Sequence, residues 1–296
     1  MPQPKAGLAE RLPPPEWLSP RAGPAAGMRL AFRAYPAPGG PAWVHVLVSH
    51  GLGEHCGWWQ HVALALQARG ISAYLFDHFH HGQSAGTAAD ASSYDVLAAG
   101  LQCALEDGVL PRAGGAPVVL LGHSNGGLVG LWTLPRIAGR LRGLVLCSPL
   151  IQLRWVQRWL GMIPAWVLAR IDPGLFWPAP PNPRTHTSDA SLWPMYFQDP
   201  LRFRKISVRF YLAMRAACTA VEARTDVGGL PLLLLAAGGE RIVDRAAMLR
   251  WFGRVAASDK TLLDHPGMEH EIFHEQEWQI AVNEVVSWLE QRFPKP

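Results

Sequence analysis

Short apolar runs recur along this chain, at 43–49, 71–77, 118–121, 144–148, 230–237 and 261–263, and most are separated by stretches of helical periodicity. Runs that are apolar throughout are the mark of strands buried on both faces. The helical stretches lie at 58–68, 96–105, 128–137 and 246–252, with a last one carrying Ile280, Val282, Val285, Val286, Trp288 and Leu289. Strand and helix in alternation predict an α/β fold, with a mostly parallel central sheet covered by helices on both faces. The rhythm breaks between 151 and 229, where Trp155, Trp159, Trp166, Trp177 and Trp193 stand among prolines that interrupt any long helix. That segment is expected to be a helical cap inserted into a core made of 28–150 and 230–296. The first 27 residues, with Pro13, Pro14 and Pro15 and no period, read as an extended arm.

Composition narrows the function classes. Of the 296 residues 49% are hydrophobic and 17% charged, so the chain can bury a large core. The formal net charge is +4, yet no run of five Lys or Arg occurs, which argues against a nucleic-acid groove. The four cysteines are widely spaced without a C-x-x-C pair, so no zinc or redox motif is signalled. No secretory signal and no apolar stretch of about 18 residues is visible. A cytoplasmic location is expected, with peripheral membrane attachment still open to it.

The run at 118–121 leads directly into Gly122-His123-Ser124-Asn125-Gly126-Gly127, and a helical pattern follows. This is G-x-S-x-G in the strand–turn–helix context that lifts a serine hydroxyl out of a tight elbow. Gly82-Gln83-Ser84-Ala85-Gly86 matches the same pattern, but it trails its strand and precedes a polar loop. Ser124 is therefore the expected nucleophile and Ser84 a structural loop serine. A serine hydroxyl needs a general base. His270, in a loop between the last strand-like run and the final helix, can reach over the sheet edge; His265 and His274 lie nearby. Glu240 or Asp244 would orient the histidine. Glu240 is preferred, because Asp244 is placed to cap the helix at 246–252. The N–H groups of Asn125 and of Leu52, in the glycine-flanked turn after the first run, would form an oxyanion hole. Gly51, His123, Trp155 and Trp159 are expected to contact substrate.

These residues resemble a known family. His50-Gly51-Leu52-Gly53-Glu54-His55, Asp77-His78-Phe79-His80-His81-Gly82-Gln83-Ser84, the Ser124 motif and Gly267-Met268-Glu269-His270-Glu271 occur in the order found in the monoglyceride lipase and bacterial lysophospholipase branch of the α/β-hydrolases. The resemblance spans about 28–293. It implies a cap over an acyl-binding channel, no metal and no cofactor. The family usually has Gly at position 80, Met at 125 and Asp as the triad acid. Asn125 would make the pocket more polar, while Glu240-Arg241-Ile242-Val243-Asp244 resembles the bacterial lysophospholipase-like members.

The expected activity is hydrolysis of a small-molecule, single-chain acyl ester, a monoacylglycerol or a lysophospholipid, through an acyl-enzyme. The alternatives are cleavage of thioesters, amides or C–C bonds by the same triad, or a non-catalytic lipid- or protein-binding member of the fold. Trp155 and Trp159, one helical turn apart with Arg154 and Arg158 beside them, would suit either packing of the cap onto the body or contact with a bilayer or micelle.

Overall fold

The computed structural model describes residues 12–154, 162–179 and 182–295. Its centre is an eight-stranded sheet in the order β1-β2-β4-β3-β5-β6-β9-β10. The strands are β1 (Glu16–Leu18), β2 (Leu30–Tyr35), β3 (Val44–Ser49), β4 (Ile71–Phe76), β5 (Val118–His123), β6 (Gly143–Cys147), β9 (Leu232–Ala237) and β10 (Lys260–His265). From β4 to β10 every pairing is parallel; β1 and β2 are antiparallel to their neighbours at one edge. The mostly parallel sheet expected from the apolar runs is therefore present.

Two strands of this sheet were not visible as apolar runs. Strand β1 lies within the N-terminal arm. Strand β2 carries Arg33 at its middle, yet Arg33 is only 3% exposed. Its guanidinium is buried because it donates to the Pro13 carbonyl, the Cys56 sulfur and the Gln83 amide oxygen. A buried cation with its donors satisfied is tolerated inside a strand, and it hides that strand from a hydropathy pattern.

Alternate side chains divide between two cores. On one face Leu120, Leu144, Leu146, Leu232 and Leu234 meet α2 (Tyr94–Cys103), α3 (Asn125–Ile137), α5 (Val208–Ala223) and α6 (Arg245–Arg254). On the other, Val119, Leu121, Val145, Leu233 and Leu235 meet α1 (Gln60–Gln67) and α7 (Gln279–Arg292). The period of two within runs that are apolar throughout is what coats both faces.

Between β6 and β9 the chain leaves the sheet. It forms α4 (Met162–Ile171), which holds Trp166, then the two-stranded antiparallel ribbon of β7 (Phe176–Pro178) and β8 (Lys205–Ser207), and then α5. The segment is thus not wholly helical, since the ribbon stands beside its helices. Helix α5 lays Phe210, Met214, Ala217 and Val221 into the same core as α3, so the segment's second half is welded to the sheet. Arg209 reinforces this with a bidentate pair to Asp90. Among the described residues no helix is long and apolar enough to cross a membrane.

Candidate active site

Strand β5 ends in the elbow. Ser124 has φ 50° and ψ −118°, a left-handed backbone that a non-glycine residue adopts only when its surroundings enforce it. The enforcement is visible. The Ser124 N–H donates to the Cys147 carbonyl at 2.9 Å, and its own carbonyl accepts from Leu150 and Leu128. The neighbours must be glycine because α3 turns back so tightly. A Cβ on Gly122 would lie 2.8 Å from the Cα of Gly127, and one on Gly126 would run into the Ser49 carbonyl.

The elbow aims the Ser124 hydroxyl at the loop that follows β10. Ser124 Oγ lies 2.8 Å from Nε2 of His270, and His270 Nδ1 lies 2.6 Å from Oε2 of Glu240. Glu240 is in the turn after β9, with its side chain fully buried. Its other oxygen accepts the N–H groups of Ile242 and Val243 at 2.7 and 3.0 Å. Because a carboxylate at Nδ1 takes the imidazole proton there, Nε2 is left bare toward the serine. Asp244 is not part of this chain; its Oδ1 accepts the Ala247 N–H at 2.9 Å and caps α6. Ser84 is far from any such role. Its hydroxyl donates to the Asp77 carbonyl and accepts from Ala31, locking β2 to the following turn.

The electrostatics follow from burial and pairing. Burial raises the Glu240 pKa, but the charge of His270, its hydrogen bond and the two N–H donors outweigh it, and the net shift is downward. Burial lowers that of His270, but the Glu240 charge and hydrogen bond prevail, and the imidazole is raised above its ordinary 6.5.

Neither the Leu52 nor the Asn125 N–H donates to another described residue. Leu52 borders a cavity of about 650 Å³ into which Ser124, His123 and His270 also open. Asn125 does not border it. Its side chain turns inward, accepting the Tyr94 hydroxyl at 2.5 Å, so the residue makes the core polar and not the pocket. Gly51 lies behind the wall, its N–H donating to Glu54 at 2.9 Å. Trp155 and Trp159 fall outside the described residues.

The cavity has two kinds of wall. Trp177, Ile206, Val208, Tyr211, Met214 and Ile242 make one apolar. The other carries groups that the sequence did not single out: Glu54, His186, Arg202 and Glu271. Glu54 accepts Trp59 Nε1 at 2.8 Å; burial opposes its ionisation, but His123, His274 and Arg202 hold it low. Glu271 accepts the Tyr196 hydroxyl at 2.7 Å, and burial together with the Glu54 charge pushes it up to about 7. Glu54 and Glu271 flank residues already chosen; Arg202 and His186 carried no spacing signal. His274, the other nearby histidine, is buried against the Trp58 carbonyl at 2.9 Å.

Known proteins share this arrangement of chain and fold. The serine aminopeptidase S33 family profile matches residues 41–277. The chain is 28% identical to a human monoglyceride lipase over 266 residues, 88% of this chain and 87% of the other. A monoacylglycerol lipase of Paleococcus ferrophilus superposes with a TM-score of 0.78 at 26% identity, over 89% of this chain and 99% of that one. A soluble variant of the Saccharomyces cerevisiae monoglyceride lipase superposes with a TM-score of 0.84 at 19% identity, over 96% and 98%, a likeness of fold.

Proposed function

The chain belongs to the serine aminopeptidase S33 family of α/β-hydrolases, and from that premise we propose that it hydrolyses single-chain acyl esters, monoacylglycerols or lysophospholipids, at Ser124. The observation that carries this reading is the unbroken line Ser124–His270–Glu240 opening onto a cavity with one apolar and one polar wall. The monoglyceride lipases to which the chain is similar supply the substrate class.

Ser124 Oγ attacks the ester carbonyl as His270 Nε2 takes its proton. The imidazolium forms against the ionised Glu240, which stabilises it and keeps the ring in place. The N–H groups of Leu52 and Asn125 receive the oxyanion. His270 then returns the proton to the departing alcohol oxygen, leaving the acyl group on Ser124. A water deprotonated by His270 attacks the acyl-enzyme, and the fatty acid leaves as Ser124 recovers its proton. The acyl chain lies along the apolar wall, where each buried CH₂ gains about 0.8 kcal/mol.

In the segment between β6 and α5, Trp166, Val167, Ile171, Leu175 and Trp177 are 56, 51, 77, 42 and 42% exposed, and Trp177 borders the cavity. We propose that these side chains rest in a lipid surface and bring the cavity to its substrate, since so many large apolar groups clustered in one segment mark an interaction site.

Labelling with a fluorophosphonate, which reacts only with an activated serine, tests the reading. Wild type and Ser84→Ala are expected to label and to release fatty acid from monoacylglycerol; Ser124→Ala is expected to do neither, with turnover down roughly 10⁶-fold. A folded wild type that neither labels nor hydrolyses would overturn it in favour of a lipid-binding role.

A further inference from the structure

The polar wall contains an acceptor with nothing to accept. His186 borders the cavity with its ring perpendicular to that of His270, centroids 6.2 Å apart, and 5.2 Å from the Tyr196 ring. Its Nδ1 is 2.9 Å from the Asn182 carbonyl, which can only accept. The Thr185 hydroxyl has its own hydrogen on that carbonyl at 2.8 Å, so it can offer Nδ1 only a lone pair. The ring proton therefore sits on Nδ1, and Nε2 is a bare lone pair with no partner among the described residues. Burial and the neighbouring His270 push His186 down to about 3, so the ring stays neutral at any ordinary assay pH.

A cation, Arg202, stands in the same lining, with its unpaired nitrogen buried. The Arg202 guanidinium packs 4.2 Å from the Trp58 ring and 4.3 Å from the Tyr196 ring, and its Nη1 has no hydrogen-bond partner. Its charge already faces Glu271 at 3.9 Å and the ionised Glu54. The wall thus holds no uncompensated positive charge for a phosphate. What it holds is an unused acceptor, and a hydroxyl, which donates without bringing a charge, is the group that fits it.

Resting on the reading of Ser124 as nucleophile, we propose that His186 is a specificity-determining residue: its Nε2 accepts a hydrogen bond from a free hydroxyl of the leaving alcohol, so the enzyme selects esters of uncharged polyhydric alcohols. An ester carbonyl held at Ser124 sends its acyl chain one way and its alcohol the other. With the chain on the apolar wall, the alcohol meets His186 and Arg202. Esters whose alcohol has no hydroxyl to donate leave Nε2 of His186 unpaired.

The test compares kcat/KM for the glycerol monoester and the n-propyl ester of one fatty acid in the same mixed micelles. Wild type is expected to favour the glycerol ester about 3- to 10-fold, the worth of one neutral hydrogen bond. His186→Asn keeps a donor near the Nδ1 position but deletes Nε2, and should bring the ratio to within about twofold of unity. His186→Gln, which restores an acceptor near Nε2, should recover part of it. Each ratio is taken on protein that still labels at Ser124; should a variant not label, the wild-type ratio alone decides. Equal use of both esters by wild type, or a loss in His186→Asn shared equally by both, overturns the assignment of His186 while leaving ester hydrolysis standing. Failure of wild type to hydrolyse either ester overturns both.

Discussion

Two carboxylates four residues apart in one turn, Glu240 and Asp244, have unlike surroundings, and the surroundings decide what each does. Glu240 is enclosed and holds His270 at 2.6 Å; Asp244 spends its oxygen on the first turn of α6. The Glu240 charge raises the imidazole, so the acid limb of kcat/KM for wild type is expected above pH 6.5. Glu240→Gln removes that charge but not the burial, so the limb should move to lower pH while turnover falls about 10⁴-fold. A pH–rate profile of the variant checks both; an unmoved limb would separate Glu240 from the base. The same coupling stabilises the fold. A raised His270 contributes stability that is full below pH 6.5 and is lost as the pH rises through its folded value. At this scale the sequence was informative where chemistry follows local order: Ser124 has a strand before it and a helix after it, and helix capping separated Asp244 from Glu240. It was silent on His186 and Arg202, which reach the cavity from two separate turns, because nothing in linear spacing records a shared wall.

Helix α3 illustrates how elements depend on parts remote in sequence. It runs past Pro135, which has no N–H to give the Leu131 carbonyl. Arg224, just beyond the end of α5, donates Nη1 to that carbonyl at 2.8 Å in its place. Arg224→Met is expected to orphan it at a cost of about 1–3 kcal/mol and to lower Tm by a few degrees in scanning fluorimetry; an unchanged Tm would mean that water takes over the carbonyl. A pattern reader sees Pro135 only as a hazard. The strands β3, β4, β5, β6 and β9 were legible since they are mostly apolar and carry no charge, and β2 was not, because one buried Arg33 breaks its run. The ribbon strands β7 and β8, three residues each, β7 largely exposed and β8 with Ile206 and Ser207 buried, are too short to carry a readable period.

For the molecule as a whole, the question is how an enzyme with a buried serine meets a substrate dissolved in lipid. Helix α4 exposes Trp166, Val167 and Ile171, the ribbon exposes Trp177 at the cavity, and Arg170 lies 3.7 Å over the Trp166 ring, a pairing that would suit the proposed contact with anionic lipid. Wild type is expected to sediment with phosphatidylglycerol vesicles. Trp166→Ser combined with Ile171→Ser should reduce the bound fraction several-fold. Equal sedimentation of wild type with and without vesicles would remove the lipid contact. The overall architecture was readable from the alternation of runs and helices; the cap's attachment was not, because α5 is held by side chains from α3 that only the folded chain brings near.

Ser124, Glu240 and His270 leave the ends of β5, β9 and β10, three parallel strands that advance about 3.3 Å per residue. The contacts between the three tolerate a few tenths of an ångström. A slip of one residue in any of these strands would carry its member a full step away. Turnover therefore works as a vernier on the sheet: it reports the alignment of strands whose side chains, His123 apart, lie outside the cavity.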